Sequence, residues 1–289
     1  MPTTRPAAFA GLFYPAAPDQ LAATLDDLLE HAAHIATAAG RSTSAGREIK
    51  ALIVPHAGYV YSGSTAAQAY ALLAPLRGIV RRVLLLGPVH RVPVRGLALP
   101  QADAFETPLG RIAIDADAVE SLRGLPQVVS NRAAHAHEHS IEVQLPFLQA
   151  MLENFALLPL AVGDASASEV AEVIERLWGG PETLILVSSD LSHFLDYDSA
   201  LTADGATLRQ LLVLEAGLSH HQACGATPVN GLLLAARRHG LSARLITRSN
   251  SGDTAGERQR VVGYASVSFQ QARPAATSQP QATETAHVH

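Results

Sequence analysis

Four residues carry the first chemical signal. The apolar run "ALIVP" delivers His56, and "RRVLLLGPV" delivers His90. "ETLILVSS" delivers Asp190, with His193 three residues further on. Short unbroken apolar runs of this kind read as strands buried on both faces. In an open parallel sheet, ligands sit beyond the carboxyl ends of the strands. A lone polar residue after a strand is ordinarily a turn or cap residue. Three strands that end this way, each beside small residues (Ala57 and Gly58; Gly87; Ser188 and Ser189), point instead to one edge where imidazoles and a carboxylate meet. Imidazole is the commonest metal ligand near neutral pH, and two histidines with a third anionic donor leave open positions on a metal.

The third donor is Asp190 or the thiolate of Cys224. Cys224 lies in "ACGATPVNG", just before a helix expected from residue 228. A helix N-terminus lowers a thiol pKa, which favours metal binding or nucleophilic attack. The ordinary fate of a lone free cysteine is that of a small buried hydrophobe, and both readings stand. Asp190 has its own plain alternative as a cap of "LSHF".

A second cluster, "HAHEHSIEVQLP", competes. His135 and His139 have the i, i+4 spacing of a helical metal site, with Glu138 and Glu142 close by. The pattern is not HExxH. His135 and His137 are expected in a solvated loop. Ser140 is a candidate N-cap, and His139 and Glu142 are balanced between lining a pocket and bracing it. The chain has 13 histidines in all, and the two that end it, His287 and His289, read as solvated.

The elements that must position these groups alternate. A helix is expected over 17–39, then a polar loop, then the strand before His56. Helices are expected in "GSTAAQAYALLAPL", "ADAVESLRGL", "SIEVQLPFLQAMLENF" and "ASEVAEVIERLWG", and over 198–216 and 228–239. Strands are expected in "RGLALP", "ALLPLAVG", "SARLITRSN" and "RVVGYASVSFQ", with a short hairpin over 103–114. This alternation predicts an α/β three-layer sandwich with a central, mostly parallel sheet. Residues 1–270 read as one domain, and 271–289, poor in large apolar residues, as a disordered tail.

Composition excludes several function classes. The chain has 289 residues, 48% of them hydrophobic, enough for one substantial core. Its formal net charge is -5, with no basic excess for a phosphate backbone, so nucleic acid is not an expected partner. No apolar run approaches the roughly 20 residues that span a bilayer. The N-terminus does not read as a signal peptide, and a single cysteine agrees with a reducing compartment. A cytoplasmic protein is expected.

The segments "AGLFYP", "VPHAGYVYSG", "LLLGPVHR", "FETPLGRIAID", "EHSIEVQLPFLQ", "LILVSSDLSHF", "ACG" and "GYASVSF" occur in the order and spacing of the Memo family. In bacteria and archaea that family is called AmmeMemoRadiSam system protein B. The chain resembles it over about residues 7–269. The resemblance implies a fold like the class III extradiol dioxygenases, which hold non-haem Fe(II) with two histidines and a glutamate. Carried over, it implies that His56 and His90 are paired metal ligands and that Cys224 takes the place of the carboxylate. His193 then falls on the acid–base position, beside Asp190. One transition-metal ion is implied, Fe(II) foremost, with Cu or Zn also suited to a softer His/His/Cys set. The cysteine argues against ring cleavage.

The animal member is described as a metal-binding redox protein and a phosphotyrosine-peptide binder. The aromatic residues implicated there correspond to Phe13, which stands in for a tryptophan, and Tyr61. Phe13 and Tyr61 are candidate pocket residues on that ground, Tyr59 by its place after His56, and His139 and Glu142 from the second cluster. The family name and gene context imply radical-SAM and AMMECR1-type partners. The function expected first is redox chemistry at a mononuclear metal on an unknown small molecule. The alternatives are a non-catalytic accessory protein and a metal-assisted hydrolase with a Zn-bound water.

Overall fold

In the computed structural model of the chain, residues 3–38 and 49–271 are described. The expected polar loop falls largely, and the expected tail almost entirely, outside these residues. The strands are β1 (Thr4–Arg5), β2 (Ile49–Val54), β3 (Arg82–Pro88), β4 (Leu97–Leu99), β5 (Ala104–Thr107) and β6 (Gly110–Ala113). They continue with β7 (Val128–Ser130), β8 (Ala156–Val162), β9 (Thr183–Ser188), β10 (His193–Leu195), β11 (Leu241–Asn250) and β12 (Val261–Gln271). The helices are α1 (Pro18–Ala38), α2 (Tyr59–Tyr70), α3 (Ala116–Ser121), α4 (Arg132–Ala136) and α5 (His139–Glu142). After them come α6 (Leu145–Met151), α7 (Ala167–Arg176), α8 (Tyr197–Leu212) and α9 (Ala226–Arg238).

The large sheet runs β10-β12-β2-β9-β3-β8-β4-β7, with β11 also on β12. Its centre, β2-β9-β3-β8, is parallel throughout. Antiparallel pairs lie outward of this centre, where β12 joins β2 and β4 joins β8. A small sheet, β1-β5-β6, stands apart. The chain is thus an α/β protein with a central, mostly parallel sheet between helical layers.

Side-chain alternation explains the layering. Leu52 and Val54 of β2 face a core shared with α1, α2 and α6. Their neighbours Ala51 and Ile53 face the opposite core, built with α3, α7, α8 and α9. The same split holds in β3, where Val83 and Leu85 face one layer and Leu84 and Leu86 the other. With both faces covered, these strands have no use for a polar residue until they leave the sheet. At the far side, Gly231 lets α9 meet α7: a Cβ there would lie 2.3 Å from Cγ1 of Val170.

The helix expected across "SIEVQLPFLQAMLENF" is two short helices, α5 and α6. Pro146 has no N–H to continue the ladder, and the chain breaks ahead of it. Ser140 is not the cap of α5. Glu138 is, its carboxylate accepting from the Ser140 N–H at 3.0 Å.

His135 also departs from expectation, for it is 1% exposed rather than solvated. Its Nε2 donates to the Ala98 carbonyl in β4 at 2.8 Å. Its own carbonyl accepts from Arg5 Nε at 2.9 Å, so this residue ties the small sheet to the large one. His137 is exposed, as expected.

Burial lowers the His135 pKa to about 4. The unfolded chain takes up this proton near the ordinary 6.5, before the folded chain does, so stability is full above that value and falls as pH drops toward 4. The loss attributable to this residue is on the order of 3 kcal/mol. Urea unfolding of wild type and His135→Gln between pH 7 and 4 should show a shallower acid slope in the variant.

Candidate functional site

β2, β9 and β3 lie side by side and parallel. Each is followed, two residues past its end, by a polar side chain: His56, Asp190 and His90. Cys224 arrives from the turn before α9. Its N–H donates to the Asp190 carbonyl at 3.2 Å, and the Asp190 N–H points back at its sulfur at 3.3 Å. Gly225 permits this approach, because a Cβ there would lie 2.7 Å from Cβ of Ser189 and 2.8 Å from the Ser188 carbonyl oxygen. The sulfur then sits 3.3 Å from His56 Nε2.

Hydrogen bonding fixes the state of each imidazole. The Ser188 hydroxyl donates to the Ser140 carbonyl at 2.6 Å. That hydroxyl has one proton, so towards His56 Nδ1, 2.8 Å away, it can only accept. His56 therefore carries its proton on Nδ1 and turns the lone pair of Nε2 to Cys224. His90 Nδ1 lies 2.9 Å from Glu138 Oε1, and the His90 N–H donates to Glu138 Oε2 at 2.7 Å. An ionised carboxylate only accepts, so Nδ1 donates here too and the neutral ring keeps its lone pair on Nε2. A carboxylate behind a histidine is the usual outer support of a metal ligand.

Electrostatics agree with a neutral His56. Burial, helped by the neighbouring His90, lowers the His56 pKa to about 3. Burial alone would raise the Glu138 carboxyl, yet the hydrogen bonds from the His90 ring and backbone and from the Ser140 N–H hold it at about 2. Burial raises the Asp190 carboxyl, opposed by the His56 N–H, which donates to Oδ1 at 2.8 Å. Cys224 does not follow the helix-terminus expectation. Burial around its sulfur, reinforced by Asp190, pushes the thiol up to about 12, and the backbone N–H groups only partly oppose this.

This donor set fits a metal ion. The ligand atoms of His56, His90 and Cys224 all lie within 4.8 Å of one another, so the group could hold one. Two imidazole lone pairs are already presented. The thiol lacks only a nearby positive charge to favour its thiolate, and a cation supplies that. His90, Glu138 and His139 form a second close group, but Glu138 is already engaged by three N–H donors there.

A pocket of about 390 Å³ opens beside these groups, its wall including Phe13, Tyr61, His139, Asp190, His193 and Arg260. The His139 ring stacks on His90 with centroids 4.6 Å apart and meets Phe13 at 4.8 Å. His193 Nδ1 donates to the Leu191 carbonyl at 2.9 Å, which leaves Nε2 as its acceptor. Tyr59 and Glu142 do not line this pocket. α2 begins at Tyr59, earlier than its sequence suggests, and residues two apart on a helix do not share a face. Tyr59 turns inward, its hydroxyl donating to the Val143 carbonyl at 2.8 Å, while Tyr61 stays 38% exposed.

Glu142 is fully buried and accepts from Arg5, from the Ala8 and Phe9 N–H groups and from the Tyr14 hydroxyl. It thus anchors the segment that carries Phe13. Sequence reasoning missed the parts played by Glu138, Ser188 and Gln144. Only Glu138, adjacent to a candidate ligand, left a usable signal.

A family profile described as "Memo-like protein" matches residues 5–268. A "MEMO1 family protein" of Metallosphaera sedula is 34% identical over 281 residues, covering 91% of this chain and 98% of the relative. A protein of the same description from Aquifex aeolicus is 33% identical over 278 residues, covering 92% and 98%. A solved structure of the uncharacterized protein JW3007 from Escherichia coli K12 overlays with a TM-score of 0.47 at 13% identity, covering 76% of this chain and 99% of that one.

The two buried glutamates are separable by experiment. Glu138→Gln removes the carboxylate behind His90 and should weaken Zn²⁺ binding, measured by calorimetry, by roughly 10–100-fold. Glu142→Gln leaves the buried Arg5 guanidinium without its counter-charge. It should cost roughly 3–5 kcal/mol in urea unfolding while Zn²⁺ affinity stays near that of wild type.

Proposed function

This chain belongs to the Memo family, and from that premise we propose that it is a metal-dependent redox protein acting on a small substrate beside His193. The observation that carries the reading is the pair of imidazoles locked in one tautomer around Cys224. His56, His90 and Cys224 would hold the metal. Fe(II) is our first choice, with Cu or Zn compatible with the same donors. When bound, Fe(II) or Cu would supply one-electron chemistry and a Lewis-acid position, and Zn the Lewis-acid position alone.

The remaining work falls to the chain's own side chains. His193 Nε2, free while Nδ1 is tied to the Leu191 carbonyl, takes a proton from a substrate hydroxyl or N–H in the pocket. Asp190 holds the His56 backbone N–H and so the position of that ring. Phe13 and Tyr61 give the substrate an apolar wall and limit water. A dioxygenase-like ancestry is part of this reading, whereas ring cleavage is not, because a thiolate replaces the carboxylate donor.

A second reading is favoured by the exposure of Leu12 (78%) and Val60 (65%), which line a neighbouring cavity that shares Phe13 and Tyr61 with the pocket. Apolar residues there suit an accessory protein that works in contact with radical-SAM and AMMECR1-type proteins.

Anaerobic purification followed by metal analysis tests the site. Wild type should retain about one equivalent, and His56→Ala, His90→Ala and Cys224→Ala should each lose most of it. Equal metal content in all four proteins would sink the assignment. His193→Gln should keep the metal. Catechol with O₂ and Fe(II)-loaded protein should give no ring-cleaved product, and its appearance would restore the dioxygenase activity.

A further inference from the structure

Arg260 is the one lysine or arginine in the wall of the pocket beside His193. It immediately precedes β12 and is exposed. Among the described residues no carboxylate lies within ion-pairing distance of it. It rests on an aromatic ring: Cζ sits 4.9 Å from the centroid of Phe194.

Phe194 is itself unusual. It is 61% exposed and has a φ of +62°, a conformation that bulky residues seldom adopt. It lies between His193 and Leu195, where the pairing of β10 with β12 shifts register. The next turn repeats the device, with Arg258 Cζ 4.4 Å from the Tyr197 ring centroid. The Tyr197 N–H donates to the Arg258 carbonyl at 2.9 Å, which pins the same lip. A guanidinium resting on a ring keeps its N–H fork free for a planar anion. The pocket therefore has an apolar wall in Phe13 and Tyr61, a proton acceptor in His193, and at its rim a positioned cation with no carboxylate partner among the described residues.

We propose that Arg260 is a specificity-determining residue, and that the substrate is a small carboxylate with a flat apolar body. The carboxylate is held bidentately by the guanidinium, and the body lies against Phe13 and Tyr61. A cavity of about 390 Å³ limits the ligand to a small one. The chain as a whole carries a net charge of -5, so an anion is drawn here by local charge and not by the overall field. The proposal deepens the functional reading above and rests on its pocket, though not on its metal.

Benzoate and its neutral isostere benzamide are the probes. Each is titrated by calorimetry into wild type, Arg260→Gln and Arg260→Lys, in metal-free and Zn²⁺-loaded forms, with circular dichroism to check folding. Wild type should bind benzoate about tenfold more tightly than benzamide in both forms. Arg260→Gln should erase the preference, and Arg260→Lys should restore part of it, because a point charge lacks the fork. Equal binding of the two probes, no detectable benzoate binding, or benzoate affinity unchanged in Arg260→Gln would overturn the proposal. Benzoate bound only by the Zn²⁺-loaded forms, and equally in Arg260→Gln, would assign the anion to the metal. Failure to load Zn²⁺ with an Arg260-dependent preference intact would sink the metal assignment and leave this inference standing.

Discussion

The hydroxyl proton of Ser188 decides the chemistry of this sheet edge. It goes to the carbonyl of Ser140, and the oxygen is then left to accept from His56 Nδ1 and from Gln144 Nε2. Gln144 also donates to the Pro55 carbonyl and accepts from the Tyr70 hydroxyl. A chain of buried polar groups therefore runs from the helical layer to the mouth of β2 with each member partnered. Such a network is favourable only when complete, because an unpaired polar group in a low-dielectric interior is costly. Its completeness permits one orientation and one tautomer of His56.

Burial acts on the two sides of the site in opposite senses and reaches the same result. It disfavours the charged form of every group, so the His56 imidazole stays neutral and the Cys224 thiol stays protonated. Lone-pair donors and an enclosed sulfur are what a cation can exploit. The carboxylate that stays ionised, Glu138, is kept so by direct hydrogen bonds and stands behind the donors. The same logic runs under the pocket wall. Glu142 draws the N-terminal segment down through four donors, and Phe13 then comes to rest against His139.

Much of this was legible in the residues. A strand covered on both faces carries apolar side chains until it exits, so His56, His90 and Asp190 mark the ends of β2, β3 and β9 by local pattern alone. The alternation of apolar runs with amphipathic helices gave the layered α/β arrangement for the same reason. Misreadings occurred where a residue's neighbours come from elsewhere. His135 reads as a loop residue, but Arg5 and Ala98 enclose it. Tyr59 reads as a wall of the pocket beside His193, but its hydroxyl turns inward to the Val143 carbonyl and it stays out of that wall. Ser140 reads as a cap, but Glu138 takes that place.

The sequence by itself determined which residue types stand at the strand mouths, because that depends only on where each apolar run stops. Tertiary structure decided which of them meet and in what protonation state. Cys224 and His56 are 168 residues apart, and Ser188 and Ser140 are 48 apart. A tautomer or a buried thiol is a property of partners, and here the partners come together only when the sheet and its two helical layers close.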